Sequence, residues 1–120
     1  MATALRILIV EDEWLIAEDH AAQLRDAGHR IVGPVASVSA AIDHVEREGP
    51  DVALLDIQLN GETSYALADT LRGKAIPFAF VTGHSSNIPE RFADIKVLQK
   101  PVSQWALTSA VTALVAPEDR

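Results

Sequence analysis

The sequence contains no cysteine, which excludes disulfide bonds, thiolate metal ligands and cysteine nucleophiles. It is also poor in basic residues, with 10 Lys and Arg against 17 Asp and Glu and a formal net charge of −7. Such an acidic chain is disfavoured as a partner of nucleic acid or of an anionic membrane surface. No apolar run approaches the roughly 18 residues of a membrane helix, and the N-terminus lacks signal-peptide features. We therefore expect a cytoplasmic protein that binds neither nucleic acid nor membrane.

The length of the chain sets the number of domains. A chain of 120 residues is enough for one domain that buries about two thirds of its unfolded surface in a single core. The sequence shows no repeat, linker or change of composition along its length. We therefore predict a single domain over residues 1–120, with its core at about 5–116 and no output domain.

Short apolar runs alternate with segments of helical length, which is typical of a parallel sheet covered by helices on both faces. The predicted strands are residues 5–10, 29–35, 51–55, 78–82 and 95–99. The predicted helices are residues 14–27, 38–48 and 64–72, a short weak helix at 89–93, and a last helix after Ser103. Residues 59–63 are interpreted as a loop. Pro34 predicts that the second strand lies at an edge, because proline cannot donate to a strand ladder.

This pattern predicts an α/β fold of the flavodoxin-like (βα)5 type, a doubly wound parallel sheet with strand order 2-1-3-4-5. Charged residues follow several of its strands: Glu11 and Asp12 the first, Asp56 the third and Lys100 the fifth. The carboxyl ends of parallel strands lie along one edge, where ligands bind. We therefore expect Asp12 and Asp56 to face each other across neighbouring strands.

A cluster of three carboxylates at this edge predicts a cation site. Two carboxylates about 4 Å apart repel by roughly 4 kcal/mol at an effective dielectric of about 20. Oxygen ligands of this kind suit Mg²⁺ (or Mn²⁺), and Glu11 would hold a coordinated water. Asp56 is the predicted nucleophile, since carboxylates form acyl phosphates when a metal neutralises the incoming group. Lys100 and the hydroxyl of Thr82, at the end of the fourth strand, would hold the other phosphoryl oxygens.

The acidic pair Glu11-Asp12, then Asp56, Thr82 and Lys100-Pro101, all at strand ends, together resemble a response-regulator receiver domain of two-component signalling. The resemblance covers essentially the whole chain. It implies a phosphorylation-dependent switch in which Asp56 accepts a phosphoryl group from a sensor histidine kinase or a phosphotransfer protein. A switch of this kind is not a turnover enzyme, because its chemistry is limited to its own phosphorylation and dephosphorylation.

The same resemblance implies the roles of the other site residues. Mg²⁺ would be bound by Asp12, Asp56 and the backbone carbonyl of Gln58, with Glu11 contributing through water. Lys100 and Gly83 would contact the phosphoryl group, and Thr82 would rotate inward to bond it. The peptide bond between Lys100 and Pro101 is expected to be cis.

Residues 77–84 read Pro-Phe-Ala-Phe-Val-Thr-Gly-His and resemble, in part, the "FAT GUY" type of single-domain receiver, named for a motif around the switch threonine. The resemblance implies that the chain is a partner of a bacterial sensor kinase of the HWE or a related type, in stress or light signalling. The resemblance implies a downstream protein target and a monomer or weak dimer. Receivers often contact partners through the face formed here by residues 86–113.

Some positions depart from the receiver pattern. Val97 occupies the place where receivers commonly carry a Tyr or Phe that moves with the threonine. Gln58 and His84 lie two residues beyond the acceptor and the switch threonine, and we hypothesise that they set the lifetime of the phosphoryl group. Trp14 and Trp105 are expected to pack against or cover helix faces rather than bind a cofactor.

Three other interpretations remain open. The chain is compatible with a receiver fragment of a larger regulator or hybrid kinase. A haloacid-dehalogenase-like phosphatase also uses an aspartate and Mg²⁺, but it would carry the nucleophile after the first strand, where Glu11-Asp12-Glu13 matches only loosely. A flavodoxin-like cofactor carrier would need a phosphate-binding loop there, and these acids would repel a phosphate.

Overall fold

The structure is a computed structural model that describes residues 4–83 and 87–116. Its elements are β1 (Arg6–Val10), α1 (Trp14–Asp26), β2 (Arg30–Val35), α2 (Val38–Glu48), β3 (Val52–Leu55), β4 (Gln58–Leu59), β5 (Glu62–Thr63), α3 (Tyr65–Gly73), β6 (Phe78–Thr82), a 3₁₀ turn (Glu90–Phe92), β7 (Val97–Gln99) and α4 (Gln104–Val115).

Five of the strands form one parallel sheet in the order β2-β1-β3-β6-β7. Numbered along the chain, these are the five predicted strands, so the α/β class and the order 2-1-3-4-5 are confirmed. The strand that contains Pro34 lies at an edge, as its missing N–H predicts. The order places β1 beside β3 at the centre of the sheet, where a doubly wound fold forms its ligand crevice.

Both faces of the sheet are covered, because successive residues of a strand point to opposite sides. Leu8 and Val10 of β1 belong to a core shared with α2 and α3, whereas Ile7 and Ile9 belong to a core shared with α1 and α4. All four are at most 2% exposed. Burial on both faces explains why β1, β3 and β6 are continuous apolar runs in the sequence.

Local signals fix the ends of two helices. The Ser37 side chain accepts a hydrogen bond from the Ala40 N–H at 3.2 Å and so caps α2. The Ser103 side chain does the same for α4, accepting from the Ala106 N–H at 3.1 Å. Such caps satisfy N–H groups that a helix leaves unpaired at its first turn, and the second one confirms that the last helix begins after Ser103.

Two segments differ from the sequence-based expectations. Residues 59–63 do not form an open loop, because Gln58 pairs with Thr63 and Leu59 with Glu62 in the antiparallel hairpin of β4 and β5. Its turn is Asn60-Gly61, with Gly61 at φ +73, and Asn-Gly is a preferred pair for tight hairpin turns.

The predicted fourth helix at 89–93 is only the 3₁₀ turn Glu90–Phe92. The backbone of Pro89 is extended, with φ −55 and ψ 146, so the turn begins only at Glu90, and the ring of Phe92 is buried in the core at 1% exposure. Among the described residues, three of the four connections within the five-stranded sheet therefore carry an α-helix, and the connection from β6 to β7 carries this turn instead.

Candidate functional site

Glu11, Asp56 and Lys100 each lie one residue beyond the strand that positions it. The Glu11 N–H donates to the Val35 carbonyl, and the Asp56 N–H donates to the Val10 carbonyl, both at 2.9 Å. The Lys100 N–H donates to the carbonyl of Thr82, the last residue of β6, also at 2.9 Å. The sheet ladder thus continues into the site and fixes the backbone of each of these residues.

Lys100 forms an ion pair with two carboxylates at once. Its Nζ lies 2.6 Å from Glu11 Oε1 and 2.9 Å from Asp56 Oδ2. The three side chains are 15%, 3% and 9% exposed, respectively. The second carboxylate oxygen of Glu11, Oε2, accepts the Glu13 N–H at 3.0 Å. Glu11 is therefore held by both oxygens, whereas Asp56 borders the open cleft.

Asp12 completes a group of three carboxylates. One oxygen each from Glu11, Asp12 and Asp56 lies within 4.8 Å of the others. Lys100 balances only one of these charges, so two negative charges remain uncompensated when all three acids are ionised. Carboxylate oxygens at this spacing, with uncompensated negative charge, match the ligand preference of Mg²⁺. The residues present therefore fit the metal that the sequence predicts.

The pKa values of the ion pair reflect its burial. Burial raises the pKa of Glu11 above 4.5, although the hydrogen bonds from Lys100 and the Glu13 N–H oppose this rise. Burial also lowers the pKa of Lys100, but its hydrogen bonds to Glu11 and Asp56 outweigh that effect and the net pKa lies above 10.5. Lys100 is therefore charged at neutral pH.

A cleft of about 420 Å³ opens over this group. The predicted residues that line it are Asp12, Asp56, Gln58, Thr82, Gly83 and Lys100. Glu11 lies just beneath, paired to Lys100. The Gly83 carbonyl accepts the Gln99 side-chain amide at 2.8 Å. The Lys100–Pro101 peptide bond is cis, as is Gly33–Pro34. His84 lies outside the described residues.

Sequence reasoning missed part of the cleft wall, which also contains Glu13 and Ile16 from the start of α1 and residues 59–61 of the hairpin turn. Two signals were available for them. Ile16 lies four residues beyond Asp12, in the first turn of α1, and Asn60-Gly61, four residues beyond Asp56, is a recognisable turn pair.

Val97 occupies the position where receivers commonly carry an aromatic switch residue. Its side chain is partly buried and packs against the core. Four rings pack nearby instead. Phe92 is stacked on Tyr65, with centroids 5.7 Å apart, and contacts Phe80 and Phe78 edge-on at 5.7 and 6.3 Å. Phe80 lies two residues before Thr82 on β6. The sequence predicts no role for Tyr65 or Phe92.

Two arginines hold the 3₁₀ turn on α3. Arg91 of the turn forms a two-point ion pair with Asp69, with both N···O distances 3.0 Å. Arg72 donates to Asp94 at 3.0 Å and to the Arg91 carbonyl at 2.7 Å. Both guanidinium groups lie over the Phe92 ring, 4.5 and 5.5 Å from its centroid. These contacts tie the β6–β7 connection to α3.

The tryptophans do not pack as predicted. Trp14 and Trp105 are 70% and 77% exposed, and Leu15 beside Trp14 is 75% exposed. Trp14 begins α1 directly after the acidic residues, and Trp105 lies in the first turn of α4. Both side chains are therefore outside the buried core, although Trp105 borders a surface groove with Leu98 and Ala110. Within the described residues, no helix is long and apolar enough to cross a membrane.

Comparison with known proteins agrees with this geometry. A family model described as the response regulator receiver domain matches residues 7–112. A solution structure of SdrG from Sphingomonas melonis Fr1 is 40% identical, with a TM-score of 0.83, and covers 97% of this chain and 100% of that chain. A second SdrG structure, from Pseudomonas melonis Fr1, is 42% identical, with a TM-score of 0.80 and coverage of 96% and 100%.

Longer relatives match over the same domain. The transcriptional regulatory protein PdtaR of Mycobacterium tuberculosis is 29% identical over 94% of this chain and 56% of its own length. The phyllosphere-induced regulator PhyR of Methylorubrum extorquens is 37% identical over 74% of this chain and 33% of its own length. This chain thus spans about half, or less, of the curated relatives it matches. Because the family model covers most of the sequence, the chain belongs to the response regulator receiver domain family, the phosphorylation-dependent switches of two-component signalling.

Proposed function

We propose that Asp56 is the phosphoacceptor of this receiver and that a phosphohistidine on a kinase or phosphotransfer protein is its donor. The observation that carries the proposal is the Asp56 carboxylate at the cleft, between the Lys100 ammonium at 2.9 Å and two further carboxylates. In the transfer, an Asp56 oxygen forms a bond to phosphorus while the bond from phosphorus to the donor imidazole breaks. The imidazole nitrogen keeps the electron pair and takes a proton.

Asp12, Asp56 and the backbone carbonyl of Gln58 would hold Mg²⁺, and Glu11 would contribute through water; the three carboxylates lie together, and Gln58 lines the cleft. When bound, the cation neutralises the charge of the acceptor and of the incoming phosphoryl group. The burial of Glu11 and its hydrogen bond to the Glu13 N–H make it the anchored member of this set. Asp12 and Asp56, the other two members of the set, line the cleft.

Lys100 changes partner in this proposal. Before transfer its ammonium pairs with Asp56 Oδ2. After transfer the negative charge lies on the phosphoryl oxygens, and the ammonium follows that charge. The Thr82 hydroxyl and Gly83, which line the same cleft, bind the remaining oxygens. Thr82→Ala should therefore remove the response to phosphorylation and leave Mg²⁺ affinity unchanged, whereas Thr82→Ser should retain both.

Gln58 and His84 set the phosphoryl lifetime in this account. Gln58 borders the cleft through which an attacking water must pass. Substituting both residues with alanine should change the dephosphorylation rate, measured by loss of the phosphorylated mass after the donor is removed. An unchanged rate would remove this role from the account.

The relatives support a switch driven by phosphorylation. One of the SdrG structures is the BeF3-activated conformation of that protein, and beryllofluoride is a tetrahedral mimic of a phosphoryl group on a carboxylate. We propose that this chain responds in the same way and signals to a protein target. PhyR relatives are described as a stress response regulator and an anti-anti-sigma factor, which supports a protein rather than a nucleic acid as the target.

The donor that we propose is a sensor histidine kinase, of the HWE or a related type, or a phosphotransfer protein. Trp14 and Leu15, both exposed, immediately follow the acidic cluster in the sequence and offer an apolar contact for the protein that carries the phosphohistidine. Residues 1–120 act as one receiver domain in this proposal, and full coverage of the SdrG chain supports it.

Beryllofluoride binding tests the proposed site without a kinase. Titration of the chain, followed by amide NMR, should show shifts at Asp56, Thr82 and Lys100 that require Mg²⁺. Asp56→Asn should abolish them, because the amide cannot coordinate beryllium as the carboxylate does. Asp51→Asn, at an exposed acid before β3, is the matched control and should leave the shifts intact. Equal shifts in Asp56→Asn would refute the proposed acceptor.

A further inference from the structure

An irregularity in the sheet lies beside the acidic pair. The pairing of β1 with β2 runs Arg6 to Arg30, Ile7 to Ile31 and Leu8 to Val32, and then resumes at Val10 to Val35. β2 therefore has one extra residue, and both Gly33 and Pro34 lie opposite Ile9. This is a β-bulge, which is rare in parallel pairs and is found preferentially at sheet edges and next to active sites.

The bulge determines where the acidic pair leaves the sheet. It brings Val35 level with Val10, and the Val35 carbonyl then accepts the Glu11 N–H at 2.9 Å. On the other side of β1, Asp56 is bonded to Val10 in the same way. The backbone that leads into Glu11 and Asp12 is thus held from both neighbouring strands.

Glycine is required at the first position of this bulge. Gly33 has φ +91, in the region that favours glycine, and an added Cβ would lie 2.9 Å from the Val35 nitrogen and 3.4 Å from the Ile9 carbonyl oxygen. Both contacts are with backbone, which cannot move aside as a flexible side chain does. A side chain at position 33 would therefore displace the residue whose carbonyl holds Glu11.

We propose that Gly33 is a positioning residue for the cation site: its bulge aims the Val35 carbonyl at Glu11 and so fixes Glu11 and Asp12 relative to Asp56. This inference rests on the proposed function, since it assumes that the three carboxylates bind a divalent cation. It adds a requirement that lies outside the cleft, at the sheet edge, in a residue that contacts neither metal nor phosphoryl group.

The test compares two alanine variants of the full chain. Gly33→Ala places a methyl group against Val35. Gly28→Ala is the matched control, because Gly28 has φ +97 but an added Cβ there meets nothing within 4 Å. Both variants carry the same kind of backbone strain, and only the first disturbs the bulge. Mg²⁺ affinity is measured by calorimetry, and stability by urea unfolding in metal-free buffer.

We expect both variants to lose stability but only Gly33→Ala to lose Mg²⁺ affinity, by about tenfold or more, as is typical when support behind metal ligands is removed. Equal Mg²⁺ affinity in Gly33→Ala and the unaltered chain would overturn the inference, and so would an equal loss in Gly28→Ala. If the unaltered chain bound no Mg²⁺, the metal part of the proposed function would fail and this inference with it.

Amide hydrogen exchange supplies a second test that needs no variant. In the metal-free chain, the Glu11 N–H should be protected to the same degree as the Asp56 N–H, because each donates to a neighbouring strand at 2.9 Å. If the Glu11 N–H exchanged freely while the Asp56 N–H was protected, the Val35 carbonyl would not hold Glu11 and the inference would fail. This result does not depend on whether Gly33→Ala folds.

Discussion

Replacing Lys100 with methionine tests how the site is balanced without metal. The ammonium bonds Glu11 at 2.6 Å and Asp56 at 2.9 Å, while Asp12 lies within the same group. Methionine is of similar length but carries no charge. Lys100→Met therefore leaves three neighbouring carboxylates with no cation among them.

The structure sets the size of the effect. Removing one partner of a buried ion pair costs about 3–5 kcal/mol, because the charge left behind is unpaired. The cleft admits water beside Asp56, so we take a lower value and expect the free energy of unfolding to fall by about 2–3 kcal/mol without metal. Saturating Mg²⁺ replaces the missing charge and should reduce this deficit. Each 1.4 kcal/mol of reduction corresponds to about tenfold tighter Mg²⁺ binding by the variant.

Urea unfolding at neutral pH, with a chelator and then with saturating Mg²⁺, measures both quantities. Lys96→Met is the control, because Lys96 is exposed immediately before β7 and its loss changes the net charge equally. The reasoning is refuted if Lys100→Met loses no more stability than Lys96→Met, or if Mg²⁺ leaves the deficit unchanged.

Three further outcomes are expected. Phe92→Ala removes a ring that is 1% exposed and should lower the free energy of unfolding by about 3–5 kcal/mol in urea; a negligible cost would contradict its place in the core. Arg91→Gln breaks an exposed pair with Asp69, so global stability should hardly change while amide exchange at Phe92 accelerates; unchanged exchange would show that the pair does not hold the 3₁₀ turn. Burial lowers the pKa of His20 below 6.5, so the unfolded state binds more protons and stability should fall as pH drops below about 6.5, less steeply in His20→Gln; identical pH profiles would contradict this.

The sheet could be predicted from the sequence because its strands are buried on both faces. Continuous apolar runs such as Val52–Leu55 have few other interpretations when helical segments separate them. Pro34 gave the edge position for a stated chemical reason. The fold class predicted the order of the strands, and that order predicted that Asp12 and Asp56 lie close together.

Local details were harder to predict where a pattern was too short. The hairpin strands β4 and β5 have two residues each, below the length at which alternation can be recognised, although the Asn60-Gly61 pair predicts such a turn. The bulge at Gly33 could not be predicted, because it is defined by the register between β1 and β2. The sequence of one strand does not give that register. The 3₁₀ turn depends on Phe92 packing against α3 and β6, a tertiary contact.

At the site, the strand-end positions of Asp12, Asp56 and Lys100 predicted that these residues meet. The sequence could not show that Lys100 pairs with Glu11 as well as with Asp56, because that depends on side-chain geometry inside the cleft. The exposure of Trp14 and Trp105 was also missed. Their apolar character suggested packing, whereas their places in the first turns of α1 and α4 leave them outside the core.

Phosphoryl incorporation tests the central claim most directly. The unaltered chain and Asp56→Asn are incubated with a small acyl-phosphate donor, with and without Mg²⁺, and their intact masses are compared. The account predicts a base-labile adduct of about 80 Da that requires Mg²⁺ and is absent from Asp56→Asn, as expected for an aspartyl phosphate. An adduct of the same yield in Asp56→Asn, or none in folded, Mg²⁺-bound protein given either this donor or a phosphorylated histidine kinase, would contradict it.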